Sequence, residues 1–548
     1  MNNYNLSRRG FLQTAFYSSL LYGAGTLPHL SSIANAAPAP LQNRILANLF
    51  LSGGPDLRHL VVPAFDATPD SFGDKYWIHR ARAHQLAATG VSAEDRWNND
   101  YFPITVGSAA WNNAGLVDPG GLNAGLTFGI WREAGWLINM FMQGNVALAF
   151  NVVGGTNRAH DLSTLMLNQG NVLSSSNDRD RSGWGGRLAR SAGGRSLSLT
   201  SSPSPFNFGP VGAAPNYNPD GIDNIDLLSV SDSRNIGLFD FNIDSTQYNN
   251  PDDKMARAAK SYYAGLRQEQ SPAVYQKFID HEQTIRVFGD LISERLESVP
   301  IPDLIRALRD NGVGSINPDP NDPIGTPARR VLRRTSLGTH IRNLYDMIAA
   351  NDLVNPTVMS MSYGSWDSHG DQRQIPGILA SDPNNPNANR GIENGLKDIF
   401  GGPFDDGSGS DPHPWHGAFS ALYASLPSQA DRDKIVVTIS GEFGRQIRDN
   451  GGFGTDHGKG NLMFVISESC QGGIYGDMFP ADELPKYDEA PNRTPDITPR
   501  TEIDSLFSKV SEWVSPGSSP AVFPRTDPGF SGEAPLIELA GMFDNLMT

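Results

Sequence analysis

The sequence has 548 residues, of which 39% are hydrophobic and 19% charged, and its formal net charge is -16. This length accommodates a large core in a single α/β domain with insertions. The negative charge argues against a nucleic-acid partner, because no basic stripe is available to neutralise phosphates. The lone cysteine, Cys470, excludes an intrachain disulfide and a cysteine metal cluster.

Residues 1–36 are predicted to be an export signal. The motif at Ser7–Leu12, SRRGFL, resembles the twin-arginine signal, and Ala34–Ala36 offers a small-x-small cleavage site. An ordinary secretory signal with a chance arginine pair is the alternative. The apolar stretch Ala15–Leu30 is too short and too polar for a stable membrane span. We therefore expect the twin-arginine export machinery as a partner and a periplasmic or secreted location.

Buried apolar runs are separated by helical segments in the rest of the chain. The runs predicted to be strands are Arg44–Leu51, Asn145–Val153, Thr357–Tyr363, Ile435–Ile439 and Asn461–Glu468. Continuous β-branched runs are typical of strands that are buried on both faces. The alternation of such strands with helices predicts an α/β fold with a mostly parallel central sheet.

The remaining chain is predicted to form one domain, residues 37–548, with long loop insertions at about 172–250 and 375–412. Helices are expected at Leu126–Gln143, Ala328–Asn351 and Leu536–Leu546. The segment after the Ile435 run is rich in glycine, so it is predicted to be a tight loop that holds carboxylates and an imidazole.

Polar residues follow four of the predicted strands, either directly or after a short loop. They are Asp56, His160 with Asp161, Asp367 with His369, and Glu442 with Asp456 and His457. If the strands are parallel neighbours, these groups converge on one edge of the sheet, where ligands collect in open α/β folds. Carboxylates and imidazoles suit a divalent metal, with zinc or manganese favoured by the histidines and calcium or magnesium possible.

Each of these residues also has a simpler interpretation. Asp56 follows Gly and Pro and would be an ordinary turn residue. Glu442 would pair with Arg445 or Arg448, and His457 would be a hydrogen-bonded loop histidine. The recurrence of the pattern at four strand ends favours the metal site over these alternatives.

Several motifs together resemble a known family. They are LSGGPD, TNRAHD, SWDSHGDQ, SGEFGR with the downstream NGGFGTDHG, and GGIYGD at Gly472–Asp477. With the signal, they are similar to the domain of unknown function 1501 family. That family belongs to the alkaline-phosphatase-like clan of phosphatases, sulfatases and phosphomutases. The resemblance implies a three-layer sandwich with a one- or two-metal site at the carboxyl edge of the strands.

The resemblance also implies roles for individual residues. Asp56 matches the first metal aspartate of the clan, and Asp367 with His369 matches the aspartate–histidine pair of the other metal. Glu442 falls where relatives carry an aspartate–histidine pair. His457, with Asp456, matches the late histidine. Asn157 and His160 would face the anion. Apart from the resemblance, the hydrolase hypothesis assigns the orientation of the oxyanion to His160, Asn157 or Arg445, because preorganised donors fill that role well.

This sequence departs from the family pattern in two motifs. Pro55 precedes Asp56 where the family reads Gly-Gly-Asn-Asp, and Ala159 stands where a serine precedes the histidine. Thr156, Ser163 and Thr164 are nearby hydroxyls, but none matches a covalent nucleophile cleanly.

Two functions remain open from the sequence. The first is an exported metal-dependent hydrolase that acts on phosphate or sulfate esters of small molecules or polymers. The second is a secreted binding or assembly protein that keeps a metal-stabilised fold without catalysis. Fold alone cannot choose between them.

Overall fold

The computed structural model describes twelve stretches of the chain: 44–178, 182–200, 204–209, 227–234, 236, 289–311, 336–364, 366–370, 372–373, 391–404, 416–488 and 496–548. The predicted export signal lies outside the described residues. Parts of the two predicted insertions do as well.

The strands, in chain order, are β1 Ile45–Leu51, β2 Val61–Pro63, β3 Tyr101–Thr105, β4 Thr127–Trp131, β5 Val146–Val153, β6 Arg195–Ser198, β7 Leu227–Ser229, β8 Pro356–Tyr363, β9 Ile435–Ser440, β10 Gly444–Asp449, β11 Thr455–Gly458, β12 Gly460–Ile466, β13 Gly473–Tyr475 and β14 Thr501–Glu502.

The α-helices are Phe72–His79, Leu86–Thr89, Ala93–Asp100, Ala109–Asn113, Gly135–Met142, His160–Gln169, Trp184–Ala192, Asp303–Asn311, Ser336–Ala349, Asn351–Val354, Ile392–Phe400, Ala418–Ser425, Gln429–Arg432, Ile503–Val514 and Ser519–Val522. Residues 289–297 are also helical.

A nine-stranded sheet runs through the middle of the molecule in the order β13-β5-β12-β9-β1-β8-β6-β7, and β14 pairs with β5. Strand β12 is antiparallel to both of its neighbours. The other pairings in this sheet are parallel. Because β5 and β9 both oppose β12, they point the same way, so the carboxyl ends of β1, β5, β8 and β9 lie at one edge.

Side chains of the central strands alternate between two cores. From β1, Leu46 enters one core, whereas Ile45, Ala47 and Leu49 enter the other. Successive side chains of a strand point to opposite faces, so each core covers one face of the sheet. Helices Gly135–Met142, Ser336–Ala349, Ile392–Phe400 and Ala418–Ser425 contribute to one core. Helices His160–Gln169, Trp184–Ala192 and Ile503–Val514 contribute to the other. The result is a mixed α/β protein whose sheet is flanked by helices, as expected for a three-layer arrangement.

Two smaller sheets stand apart from the central one. Strand β4 pairs antiparallel with β2 and β3. Strands β10 and β11, which lie between β9 and β12 in the sequence, form an antiparallel hairpin. This hairpin lies in the glycine-rich segment for which a tight loop was predicted. The segment forms two paired strands, so the prediction of a loop was wrong.

Most predicted strands are confirmed to within a residue or two, but two helix predictions were wrong. The Leu126–Gln143 segment begins as strand β4 and becomes helical only from Gly135. The Leu536–Leu546 segment consists of bends and turns. In the predicted insertion at 172–250, the short strands β6 and β7 pair in parallel at one end of the central sheet.

None of the helices in the described part of the chain combines the length and apolar character needed to cross a membrane.

Candidate metal centre

Four side chains meet at the carboxyl edge of the central sheet, where β1, β5, β8 and β9 end. Asp367 and His369 follow β8, His457 lies on β11, and His160 begins the helix that follows β5. The ligand atoms of His160, Asp367 and His457 all lie within 4.8 Å of one another. We call these four residues the histidine–aspartate cluster.

Three nitrogen and oxygen atoms form a small triangle in this cluster. The Nε2 atoms of His369 and His457 are 2.9 Å apart. Oδ1 of Asp367 is 3.0 Å from the first and 2.9 Å from the second. Three polar atoms at such spacing must share protons or a cation, since bare lone pairs would repel one another.

The tautomers of both histidines are set by their Nδ1 partners. Nδ1 of His457 lies 2.9 Å from the backbone carbonyl of Arg158. A carbonyl only accepts, so Nδ1 donates and Nε2 of the neutral ring carries a lone pair. Nδ1 of His369 lies 3.0 Å from Oδ1 of Asp456. That carboxylate also accepts from the side-chain amide of Asn450, so Nδ1 of His369 is the donor of this pair and Nε2 is the ring atom that faces His457 and Asp367.

His160 repeats the arrangement on the other side of Asp367. Its Nδ1 lies 2.8 Å from Oε1 of Glu442, and its Nε2 lies 3.4 Å from Oδ2 of Asp367. The Glu442 side chain is 1% exposed and also accepts from the backbone amides of Gly53 and Gly54. Glu442 therefore orients His160 so that its Nε2 atom faces Asp367.

Burial and hydrogen bonds shift the pKa values of Asp367 and His457 in the cluster. Burial raises the pKa of Asp367, but hydrogen bonds from His457 and Arg445 outweigh it and bring the pKa to about 2. Burial lowers the pKa of His457, and the opposing hydrogen bonds to Asp367 and the Arg158 carbonyl do not restore it. At neutral pH the carboxylate is ionised and the imidazole of His457 is neutral. Arg445 donates to Oδ1 of Asp367, and the Nε2 atoms of His369 and His457 face each other at 2.9 Å, a spacing that a proton or a cation between them would satisfy.

Two glycines make room for this geometry. Gly53 has φ +114°, and a Cβ at this position would lie 2.4 Å from the backbone nitrogen of Asp367. Gly54 has φ +63°, and its Cβ would lie 2.3 Å from the Phe443 ring. Only glycine adopts such backbone angles without strain. The Phe443 ring in turn packs on His457 and His160, with ring centroids 4.2 and 5.0 Å apart.

This donor set fits a divalent metal. Zinc binds imidazole nitrogen at about 2.0–2.1 Å and carboxylate oxygen at about 2.0–2.2 Å. Histidines whose other nitrogen is held by a carboxylate or a carbonyl are typical metal ligands. Asp367, His369 and His457 are the residues that would hold the metal, and His160 would approach from the Oδ2 side of Asp367.

Two predicted ligands belong instead to the layer that orients the histidines. Asp456 holds Nδ1 of His369, and Glu442 holds Nδ1 of His160. In both cases the carboxylate faces the nitrogen on the far side of the ring from the triangle, so we infer that it orients the ring and does not bind the metal directly. Their role here is to fix the ring orientation.

Asp56 is not brought into the cluster, contrary to the prediction for it. Its carboxylate is fully buried and receives both terminal nitrogens of Arg80, at 2.6 and 2.8 Å. Gln372 and Thr455 also donate to Oδ2, at 2.5 and 3.2 Å. With both oxygens occupied by protein donors, Asp56 has no free ligand atom.

Arg445 and Asn157 were predicted to orient an oxyanion, but their side chains form hydrogen bonds with other parts of the protein. The buried guanidinium of Arg445 donates to the carbonyls of Gly53 and Gly54 and, at 2.7 Å, to Asp367. Oδ1 of Asn157 accepts from the amide of Ala159 before helix His160–Gln169. Arg445 thus positions Asp367, and Asn157 shapes the turn that presents His160.

The hydroxyls near His160 have other partners. Ser163 is fully buried and its hydroxyl donates to the carbonyl of Asn157. The hydroxyl of Thr156 contacts the sulfur of Met166, at 3.6 Å.

Sequence reasoning missed Arg80, the partner of Asp56, and Asn450, the partner of Asp456. Arg80 lies in a segment without a clear hydrophobic period, 24 residues after Asp56, and no motif marks it. Asn450 lies in the glycine-rich segment, where the site residues predicted from the sequence included Asp456 and His457 but not Asn450.

No family model, no curated protein and no solved structure matches the chain. The fold and the cluster therefore define a class, an α/β protein with a histidine–aspartate cluster at the carboxyl edge of its sheet. The family resemblance rests on the motifs alone.

Proposed function

We propose that this chain is an exported metal-dependent hydrolase of the alkaline phosphatase and sulfatase type, acting on phosphate or sulfate esters. The observation that carries the proposal is the convergence of the Nε2 atoms of His369 and His457 and the Asp367 carboxylate within 3.0 Å of one another. Oδ1 of Asp367 already accepts from Arg445, and a metal ion bound by the same carboxylate and the two imidazoles would remove the repulsion between the facing ring nitrogens. The mostly parallel sheet and the position of the cluster at its carboxyl edge fit the alkaline-phosphatase-like fold that the motifs suggest.

The proposal assigns a separate task to each layer of the site. Asp367, His369 and His457 would bind a divalent ion, with zinc or manganese favoured by the imidazoles. When bound, such an ion would activate water and neutralise charge that develops on the ester. His160 is half-exposed and held by Glu442, so it can contact an ester oxygen at the opening of the site.

The test measures hydrolysis of aryl phosphate and aryl sulfate esters by purified protein after chelation and reloading. We expect turnover that is lost with the chelator and restored by zinc or manganese. The His457→Gln variant is the matched control, since it removes one ligand. No turnover with either ester after saturating metal loading would contradict the proposal.

A second function is favoured by one observation. Ser163 and Thr156 are occupied by protein partners, and Ala159 replaces the serine expected from the resemblance. A secreted binding or assembly protein that uses the metal only for stability would need no nucleophile. In that case metal would raise the melting temperature without ester turnover.

A further inference from the structure

The buried Asp56–Arg80 ion pair reaches the cluster through its neighbours. Both side chains are fully buried, and the guanidinium contacts the carboxylate with two nitrogens. Pairing of this kind is strong and geometrically specific. Few ion pairs in the described part of the chain are so completely removed from water. The other hydrogen bonds of Asp56 and Arg80 show which segments this ion pair contacts.

Both strands of the β10–β11 hairpin are tied to this ion pair. Arg80 donates to the backbone carbonyls of Ile447 and Gln446 on β10, at 2.8 and 3.2 Å. The Thr455 hydroxyl on β11 donates to Asp56. Thr455 directly precedes Asp456 and lies two residues before His457.

The segment that carries His369 is tied to the same carboxylate. The side-chain amide of Gln372 donates to Oδ2 of Asp56 at 2.5 Å. The backbone amide of Gln372 donates to the carbonyl of Phe453 at the hairpin turn. A single buried carboxylate therefore links the two segments that present His369 and His457.

We propose that Asp56 is a positioning residue that, through Arg80, Thr455 and Gln372, sets the distance between His369 and His457. This inference rests on the proposed metal site, since positioning matters only if the cluster binds a cation. It assigns Asp56 a role other than ligation. Partners that orient metal ligands change affinity by about 10–100-fold when removed.

The test compares two buried aspartate–arginine pairs. Asp346 is fully buried, and Arg234 donates to it at 2.9 and 3.0 Å. Asp346 lies in helix Ser336–Ala349, which precedes β8, whereas Asp367 follows the far end of that strand. Asp346→Asn therefore removes a similar buried charge at a distance from the cluster, and it serves as the matched control for Asp56→Asn.

The first readout is the dissociation constant for Zn²⁺ alone, obtained by competition with a chromophoric chelator on folded protein. We expect Asp56→Asn to weaken zinc binding at least 10-fold and Asp346→Asn to change it less than twofold. Equal affinities for Asp56→Asn and the original chain would overturn the inference. Equal weakening in both variants would do so too, because it would reflect general destabilisation.

The second readout is amide hydrogen exchange in Gly444–Asp449 and Thr455–Gly458 without metal. We expect faster exchange in Asp56→Asn and unchanged exchange in Asp346→Asn. If the original chain binds no zinc, the proposed function fails, and this readout still decides whether Asp56 holds the hairpin. Unchanged exchange in Asp56→Asn would refute the positioning role.

A milder variant covers the case in which Asp56→Asn does not fold. Thr455→Val removes one hydrogen bond to Asp56 and keeps the ion pair. We expect zinc binding to weaken severalfold, in the same direction as in Asp56→Asn. Affinity equal to that of the original chain would contradict the inference.

Discussion

Asp56 and Asp367 follow neighbouring parallel strands, β1 and β8, and both accept hydrogen bonds from an arginine. The Asp56 side chain is 0% exposed and the Asp367 side chain is 43% exposed. Arg80 occupies both oxygens of Asp56, whereas Arg445 reaches only Oδ1 of Asp367. Asp367 therefore still faces histidines.

The comparison teaches that position at a strand end does not determine the role of a carboxylate. The role depends on which distant residue reaches it. A buried carboxylate whose two oxygens both accept hydrogen bonds from the protein, such as Asp56, stabilises the fold around it. A half-exposed carboxylate that contacts imidazole nitrogens, such as Asp367, can bind a cation. The variants below are expected to separate these two roles.

The largest effect is expected for the stability of Asp56→Asn. The change leaves the buried Arg80 guanidinium without its counterion, and breaking a buried pair in this way costs about 3–5 kcal/mol. Urea unfolding followed by circular dichroism measures the loss. A change in the free energy of unfolding below about 1 kcal/mol would mean that the Asp56–Arg80 ion pair does not stabilise the fold as described.

Asp367→Asn should show the opposite profile. Its carboxylate is 43% exposed, so the free energy of unfolding without metal should change by less than about 1 kcal/mol. Zinc binding should weaken at least 100-fold, which is about 2.7 kcal/mol. Calorimetric titration with Zn²⁺ measures this. Retained affinity would remove Asp367 from the ligand set.

Glu442→Gln is expected to have a smaller effect on zinc binding. The amide cannot accept from Gly53, Gly54 and His160 as the carboxylate does, so the His160 ring loses its fixed orientation. We expect affinity to fall about 10-fold if His160 is a fourth ligand. Unchanged affinity together with reduced ester turnover would instead assign His160 to substrate contact.

The last prediction concerns the pH dependence of stability and a histidine outside the site. Burial lowers the pKa of His340 from 6.5 to about 4. The unfolded chain therefore binds a proton that the folded chain does not, and stability falls as pH drops from 6.5 towards 4. His340→Leu should flatten this dependence by about 2 kcal/mol relative to the original chain. Identical pH profiles from urea unfolding would contradict the assignment.

The sequence predicted the sheet better than the contacts at its edge. Runs such as Ile435–Ile439 can be recognised because burial on both faces requires continuous apolar composition. Their parallel direction then brings Asp367, His369 and His457 to one edge. These parts of the arrangement follow from local patterns and from the rules of sheet topology.

The distinction between ligand and frame could not be predicted in the same way. It depends on Arg80 meeting Asp56 and on Asp456 meeting His369, 87 residues apart, and neither pairing leaves a local signal. The hairpin was missed because its glycines favour turns, while its pairing is decided by contacts with Asp56, Arg80 and His369.

The most direct test of the central claim is anomalous X-ray diffraction from crystals loaded with Zn²⁺ and measured at the zinc edge. We expect one strong anomalous peak about 2.0–2.2 Å from Nε2 of His369, Nε2 of His457 and a carboxylate oxygen of Asp367. Asp56 should remain bound to Arg80 in the same crystals. A peak on Asp56, or no peak at the cluster at saturating zinc, would contradict the central claim.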